Sequence, residues 1–217
     1  MVNTMPSAFL TELTSARLLA IVRSDDPEAA IAASLTLVES GIRFLEISLV
    51  SADATRVIRE IISRADGRCS IGAGTVLTRD DVARSADAGA QFIVTPAVAE
   101  SVSAASDRGL PVLAGALTPS EVVTAMGLGA TAVKLFPAAS GGPAYLQALR
   151  EPLPTVPFVP VGGVDVARAR EYFAAGAVAV GLGSPLLGDA ARGGDLAALR
   201  MRAAEFLAVA AEVDVSE

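Results

Sequence analysis

The 217-residue chain contains no histidine, and this absence excludes several common kinds of catalytic site. A Ser-His-Asp triad, a histidine-ligated zinc ion and a histidine general base all need an imidazole ring. Proton transfer must therefore use aspartate, glutamate, tyrosine, lysine or water. The single cysteine, Cys69, cannot form an internal disulfide, which agrees with a reducing compartment. Its position at the start of a predicted strand indicates a buried strand residue. A catalytic thiol is not expected, because no histidine is present to activate it.

Lysine is almost as rare as histidine. All but one of the 17 basic residues are arginines, and the exception, Lys134, lies within the apolar run 132–137. Burial disfavours the ammonium form of a lysine, so such a position is tolerated mainly where a neutral amine is useful. Arginine cannot form a Schiff base, because its guanidinium stays protonated. Lys134 is therefore the candidate nucleophile, and the alternative is a leftover lysine that extends to solvent.

Long apolar runs and a basic surface are also missing. No apolar run approaches the roughly 20 residues needed to span a bilayer, and residues 1–17 lack the pattern of a signal peptide. The net charge of −7 and the scattered arginines argue against a nucleic-acid or membrane partner. The hydrophobic fraction of 52% suits a packed interior. From these features we expect a cytoplasmic protein. We also expect a single domain over residues 1–217, because no stretch with the composition of a linker interrupts the pattern.

Eight short apolar runs alternate with longer alanine-rich stretches, at the spacing of βα units. The predicted strands are Leu18–Arg23, Phe44–Leu49, Cys69–Thr75, Phe92–Pro96, Pro111–Ala116, Ala132–Pro137, Pro157–Gly162 and Ala177–Gly183. This pattern predicts an α/β fold, a (β/α)₈ TIM barrel in a single domain with a short N-terminal helix. A doubly wound sheet is the alternative, but residues 23–26 lack the glycine fingerprint expected after its first strand.

The helical stretches carry start and stop signals. Asp26 can cap a helix over Pro27–Ser40, in which proline suits the first position. A glycine ends this helix and recurs just before later strands, as expected for helices that lead into αβ loops. These glycines are Gly41, Gly89, Gly109, Gly129 and Gly176. A short first helix is expected over Pro6–Ala16 and a last helix over Leu196–Val213.

Glu46 is a carboxylate inside an otherwise apolar predicted strand. The strand period of two places it on the same face as Phe44 and Ser48. In a barrel, the chemistry lies at the C-terminal ends of the strands, and only near that mouth is an inward carboxylate tolerated. Without histidine, Glu46 is the best candidate for general acid and base catalysis. The alternative is a structural glutamate paired with an arginine such as Arg23.

Glycines end the seventh and eighth predicted strands. Gly162 and Gly163 follow strand seven, and Gly183 with Ser184 follows strand eight. The loops after these two strands form a recurrent phosphate site in TIM barrels, where backbone N–H groups receive the anion. Together they predict a phosphate site, with tight packing turns as the alternative. Asp165 is interpreted as the N-cap of the next helix.

Two further strand ends can line the same mouth. Gly72–Thr75 ends strand three with small residues, and the hydroxyl and N–H of Thr75 can hold a small carboxylate. Phe136 would point the same way as Lys134 and place an aromatic ring beside the amine. Both are also acceptable as ordinary core residues.

Several ordered motifs between about Leu18 and Phe206 resemble the class I aldolases of the 2-keto-3-deoxy-6-phosphogluconate (KDPG) and 4-hydroxy-2-oxoglutarate (KHG) family, including its phosphogalactonate branch. The motifs are Leu45-Glu46-Ile47-Ser48, Gly72-Ala73-Gly74-Thr75-Val76, Ile93-Val94-Thr95-Pro96, Val133-Lys134-Leu135-Phe136-Pro137-Ala138, Val161-Gly162-Gly163-Val164 and Gly183-Ser184. The resemblance implies a lyase that cleaves 2-dehydro-3-deoxy-6-phosphogluconate to pyruvate and D-glyceraldehyde 3-phosphate, a step of the Entner-Doudoroff pathway.

The resemblance also implies residue roles. Lys134 would form the Schiff base and Glu46 would carry protons. The implied substrate-binding residues are Arg23 and Thr75 near the carboxylate, Pro96 and Phe136 as walls, and Gly162, Gly163 and Ser184 around the phosphate. The family implies a homotrimer, a phosphorylated keto acid and pyruvate as ligands, and neither cofactor nor metal.

Two positions depart from the gluconate-type pattern. Val50 stands where many relatives carry a carboxylate-binding arginine, a charge that Arg23 could supply instead. Val161 stands where gluconate-type relatives tend to have threonine, and valine cannot hydrogen-bond a substrate hydroxyl. The phosphogalactonate and 4-hydroxy-2-oxoglutarate activities therefore stay open as alternatives.

Two other classes of function also stay open. A barrel with one lysine and a phosphate site can hold pyridoxal phosphate, although no partner for the pyridine nitrogen is evident in the sequence. The second class is an inactive homologue that serves as an assembly or regulatory subunit. Val50, in place of the arginine of many relatives, would then indicate the loss of catalytic residues.

Overall fold

The structure, a computed structural model, describes residues 8–212. Within this range the strands are β1 Leu18–Val22, β2 Phe44–Ser48, β3 Ser70–Gly74, β4 Ile93–Val94, β5 Val112–Ala116, β6 Ala132–Leu135, β7 Phe158–Pro160 and β8 Val180–Leu182. The helices are α1 Ala8–Ala16, α2 Pro27–Glu39, α3 Ala54–Ala65, α4 Arg79–Asp87, α5 Glu100–Ser106, α6 Pro119–Gly127, α7 Gly142–Arg150, α8 Val166–Ala174, α9 Ser184–Leu187 and α10 Leu196–Glu212. Two 3₁₀ turns cover Ala138–Ser140 and Ala190–Arg192.

All neighbouring strands pair in parallel, in the order β7-β6-β5-β4-β3-β2-β1-β8. A single bridge between Val161 and Gly181 joins the two outer strands and closes the sheet. The predicted (β/α)₈ TIM barrel is therefore confirmed, and the open-sheet alternative is wrong. Because helices follow the strands on the outside, the C-terminal strand ends form one mouth.

The observed strands end earlier than predicted at this mouth. Arg23, Thr75, Pro96 and Phe136 all lie just beyond their strands. At Thr75 the reason is local backbone geometry, because its φ of +60° is outside the strand region.

The helix boundaries follow the predicted signals. The Asp26 carboxylate accepts from the N–H groups of Glu28 and Ala29 at the start of α2. Each of the five helix-ending glycines has a positive φ, between +72° and +101°. The predicted first and last helices are present as α1 and α10, and residues 6, 7 and 213 lie outside the described range.

Cys69 precedes β3 rather than lying in it, because the ladder with β2 begins at Ser70. The side chain is buried as expected, and burial raises the pKa of the thiol to about 12. In residues 8–212, no helix is long and apolar enough to cross a membrane.

The inner face of the barrel is apolar at its N-terminal end. Inward residues here are Leu19 of β1, Phe44 of β2, Phe92 just before β4 and Leu113 of β5, and Leu13 of α1 packs beneath them with no exposed surface. Closer to the mouth, the inward positions are Glu46, Gly74, Gly115, Lys134 and Gly181. The interior therefore changes from bulky apolar residues to glycines and two charged groups as it approaches the mouth.

Candidate active site

Lys134 and Glu46 meet across the barrel axis. Lys134 lies in β6 and Glu46 in β2, and Lys134 Nζ is 3.6 Å from Glu46 Oε1. The two residues are only 6% and 1% exposed. Burial of this extent is rare for charged residues and marks a functional site more often than an ordinary surface pair.

The Glu46 carboxylate is held tightly but incompletely satisfied. A Cβ at Gly74 would lie 1.8 Å from Glu46 Oε1, so the carboxylate rests directly on the glycine backbone of β3. Glu46 Oε2 is buried and has no hydrogen-bond partner among residues 8–212. Leaving a buried acceptor unpaired destabilises a fold by about 1–3 kcal/mol, which makes this position costly to keep for structure alone. The alternative in which Glu46 pairs with Arg23 is wrong, since its ionic partner in the described structure is Lys134.

The pair supports proton exchange at constant net charge. An ammonium beside a carboxylate and an amine beside a carboxylic acid are two protonation forms of the same neutral pair. In the second form Lys134 is a nucleophile and Glu46 is a general acid. The arrangement can therefore supply both the attacking amine and the proton that a carbonyl addition requires.

Phe136 forms one wall beside the amine. Lys134 Nζ lies 5.5 Å from the centre of its ring, within the range of a cation–π contact. A Cβ at Gly162 would lie 3.5 Å from the same ring. Pro96 forms another wall and lies over β5, where a Cβ at Gly115 would come within 2.3 Å of the Pro96 carbonyl carbon. The missing side chain at Gly115 thus allows Pro96 to approach the barrel axis, whereas a Cβ at Gly162 would make only ordinary contact with Phe136.

Thr75 has the least favourable backbone at the mouth. Its φ of +60° is rare for a β-branched residue and is found mainly where surrounding structure holds the chain. Its hydroxyl lies 2.8 Å from the Ser48 hydroxyl of the neighbouring strand β2. The buried Ser48 therefore fixes the direction of the Thr75 hydroxyl toward one side of the mouth.

The loop after β7 and the start of the short helix α9 after β8 both present backbone groups at the mouth. Gly162 and Gly163 have φ values of +107° and +72°, which favour glycine. Asp165 caps α8 as predicted, and its carboxylate accepts from the N–H of Arg168. Since this helix end already has an anionic cap, an incoming anion would meet the glycine N–H groups before it.

One cavity of about 520 Å³ opens at the mouth and brings all nine predicted site residues together. They are Arg23, Glu46, Thr75, Pro96, Lys134, Phe136, Gly162, Gly163 and Ser184. None of the nine lies elsewhere, and the buried Val161 also borders the cavity. A volume of this size suits a small organic ligand.

Sequence reasoning missed several residues at the mouth, and Arg192 and Ser48 are the polar ones among them. Arg192 lines the cavity from the 3₁₀ turn after α9, and nothing in the sequence separates it from the other arginines. Ser48 was recognised as an inward residue but not as the partner of Thr75. The signal for Ser48 is its position two residues after Glu46 on the same strand face.

Comparisons with known proteins agree with this geometry. Residues 10–201 match the family model described as KDPG and KHG aldolase. The chain is 38% identical over 193 residues to a probable 2-dehydro-3-deoxy-6-phosphogalactonate aldolase of Rhizobium meliloti, covering 88% of this chain and 90% of that one. It is 36% identical over 186 residues to the KHG/KDPG aldolase of Escherichia coli K12, covering 84% and 87% respectively.

A solved structure extends the agreement to three dimensions. The KDPG aldolase of Legionella pneumophila, with pyruvate captured as a covalent carbinolamine, superposes with a TM-score of 0.81. The two sequences are 27% identical, and the match covers 95% of this chain and 98% of that one. With the family model matched over most of its length, the chain belongs to the KDPG and KHG aldolases, a family of lyases.

Proposed function

We propose that the protein is a class I aldolase that cleaves 2-dehydro-3-deoxy-6-phosphogluconate reversibly to pyruvate and D-glyceraldehyde 3-phosphate. The observation that carries the proposal is the buried amine of Lys134, 3.6 Å from the buried carboxylate of Glu46 at the barrel mouth. The relative from Legionella pneumophila, captured with pyruvate as a carbinolamine, supports covalent chemistry of the same kind.

The first half of the reaction forms an imine. The neutral amine of Lys134 attacks the C2 ketone, and Glu46 supplies the proton that converts the new alkoxide to a carbinolamine hydroxyl. The attacking nitrogen then returns one of its protons to the Glu46 carboxylate, which gives the neutral carbinolamine. Glu46 donates this proton to the hydroxyl, which leaves as water, and a protonated imine remains. Oε1 of Glu46, 3.6 Å from Lys134 Nζ, is the carboxylate oxygen nearest the reacting nitrogen.

The second half breaks the C3–C4 bond. The C4 hydroxyl loses its proton to the Glu46 carboxylate, directly or through water, and the bonding electrons move into the protonated imine. C4 leaves as the aldehyde carbon of glyceraldehyde 3-phosphate, and an enamine remains on Lys134. Protonation of the enamine at C3 and hydrolysis then release pyruvate and restore the amine.

The polar strand ends suit the two charged ends of this substrate. Arg23 and the Ser48-fixed hydroxyl of Thr75 would hold the carboxylate next to C2. The N–H groups of Gly162 and Gly163, with the Ser184 hydroxyl, would receive the phosphate. Pro96 and Phe136 would exclude water from the reacting carbons.

A specific observation favours a second candidate, the phosphogalactonate-derived epimer. Val161 is buried and borders the cavity, where it can contact a substrate but cannot hydrogen-bond its hydroxyl. A coupled assay that compares the two epimers at equal concentration would rank them. Cleavage of 4-hydroxy-2-oxoglutarate is the third activity to measure in the same assay, since relatives with that name share the fold.

The decisive experiment is reductive trapping with pyruvate and borohydride, followed by mass spectrometry. Because Lys134 is the only lysine in the chain, one reduced pyruvoyl adduct on residue 134 is the expected product. Lys134→Arg is the matched control, since it keeps the charge but cannot form an imine, and it should abolish both trapping and turnover. An adduct elsewhere, or substantial cleavage by the variant, would contradict the proposal.

We also propose a homotrimer in the cytoplasm. The support for the trimer is the resemblance to the family, and Val50, Leu77 and Val123, with 43–59% of their surface exposed, are apolar residues that an interface could cover. Sedimentation equilibrium on the full chain would test the assembly, and a monomer at all concentrations would contradict it.

A further inference from the structure

Two arginines border the cavity, and they differ in how easily the sequence reveals them. Arg23 directly follows β1, whereas Arg192 lies in the 3₁₀ turn after α9. Among residues 8–212 neither arginine forms an ion pair, although other surface arginines, such as Arg56 and Arg170, pair with carboxylates. In a chain of net charge −7, unpaired cations that face a cavity create a local attraction for anions.

The backbone that carries Arg192 is fixed at both ends. Arg202 of α10 donates to the carbonyls of Leu186 and Leu187, at 2.7 and 2.9 Å, and so holds the end of α9. The buried Ser24 hydroxyl donates to the carbonyl of Ala191, the residue before Arg192. Ser24 also follows Arg23, so one buried serine joins the two arginine-bearing segments at the mouth.

The position of the turn in the barrel decides which end of a ligand it faces. Arg192 belongs to the connection after β8, whose residues Gly183, Ser184 and Gly188 border the same cavity. The closing bridge places β8 next to β7, so this connection is adjacent to the loop that carries Gly162. Arg192 therefore lies on the side of the strand ends proposed to receive a phosphate.

We propose that Arg192 is a specificity-determining residue that binds the terminal phosphate of the substrate and selects phosphorylated over unphosphorylated aldehydes. This inference rests on the proposed aldolase function. Neutral backbone N–H groups and a serine hydroxyl can orient a phosphate, but they carry no net charge to balance a dianion. A guanidinium adds that charge and can donate two parallel hydrogen bonds to phosphate oxygens.

The test compares two aldehydes in the condensation direction. Pyruvate is reacted with D-glyceraldehyde 3-phosphate or with D-glyceraldehyde, using wild type and Arg192→Ala. For the phosphorylated aldehyde, kcat/KM should fall about tenfold to hundredfold through a higher KM, the effect of losing a charge-assisted contact. For D-glyceraldehyde, kcat/KM should stay near that of wild type, and so should borohydride trapping of pyruvate alone.

Two further variants isolate the charge and its place. Arg192→Lys should recover part of the lost affinity, because lysine supplies the charge without the planar fork. Arg59→Ala is the matched control, since Arg59 is an exposed α3 residue outside the cavity and its removal changes the net charge equally. It should leave both aldehydes unaffected.

The possible failures can be told apart. Equal losses for the two aldehydes would assign Arg192 a structural role, and weaker pyruvate trapping would move it to the carboxylate end. An unchanged KM for the phosphorylated aldehyde would also overturn the inference. If wild type itself traps no pyruvate, the proposed aldolase function is wrong and the inference about Arg192 is overturned with it, whereas normal trapping with any of the results above overturns the inference alone.

Discussion

The two ends of the barrel interior are filled in opposite ways. At the N-terminal end, Phe44 and Phe92 lie 6.2 Å apart and both pack against Phe9 of α1, at 5.5 and 5.2 Å between ring centres. At the C-terminal end, the inward positions are glycines and the Lys134–Glu46 pair, and they leave an open cavity. One end is built for packing and the other for chemistry.

The glycines explain how one barrel accommodates both ends. The ring of Phe92 occupies the space of a side chain at Gly72, where a Cβ would lie 2.4 Å from it. Near the mouth, Gly74 makes the same space for the Glu46 carboxylate. The glycines of β3 thus serve packing at one end and a buried charge at the other, two residues apart on the same strand face. The polar mouth, with a carboxylate oxygen that is unpaired among the described residues, therefore relies on the apolar packing at the N-terminal end for the stability of the fold.

Glu46→Gln tests the chemistry at the mouth and should have the largest effect on turnover. The amide keeps the shape of the side chain but cannot carry the proton, so kcat should fall by about 10²–10⁴-fold. The free energy of unfolding should change little, because the amide has the shape of the carboxylate and Oε2 already lacks a partner among residues 8–212. Steady-state kinetics and urea unfolding measure the two quantities.

Glu39→Gln provides the control for Glu46→Gln. Glu39 is a half-exposed surface residue that pairs with Arg200 at 3.3 Å, and such pairs contribute about 0–1 kcal/mol. This variant should keep full activity. Nearly normal turnover in Glu46→Gln would show that another group carries the proton.

Phe92→Ala tests the opposite end. Removal of this fully buried ring should lower the free energy of unfolding by about 3–5 kcal/mol. At a temperature where the variant is still folded, kcat should be close to that of wild type, because the change lies below the catalytic pair. Phe92→Leu should lose less stability, since it leaves a smaller cavity. A large fall in kcat without loss of stability would show that the two ends are not separate.

The fold and the chemical centre were largely visible in the sequence because their signals are local. The helix-ending glycines and the Asp26 cap act within a few residues, and Lys134 and Glu46 are charges in apolar strands. Arg192 was not visible, since its place at the mouth depends on contacts with Ser24 and Arg202, far away in the chain. The end of β3 was overestimated because threonine favours strands in general, and nothing in the sequence indicates the φ of +60° that Thr75 adopts.

The smallest expected effect concerns the other nucleophile, Cys69, which precedes β3 at the closed end of the barrel. Burial raises the pKa of its thiol from 9.0 to about 12, so below pH 9 the thiol is protonated in native and unfolded chains alike. Between pH 9 and about 12 the unfolded chain releases this proton and the native chain keeps it, so stability should fall as pH rises.

Two measurements check this difference between the ends. Iodoacetamide at pH 8 should alkylate Cys69 far more slowly in the native protein than in urea, because the native thiol is buried and protonated. Cys69→Ala should show a shallower loss of stability between pH 9 and 11 than wild type, since one titrating group is removed. Rapid alkylation of the native protein would contradict the expectation, because it would show that the closed end opens readily. Slow alkylation of Cys69 together with rapid pyruvate trapping at Lys134 would show that only the mouth is reactive.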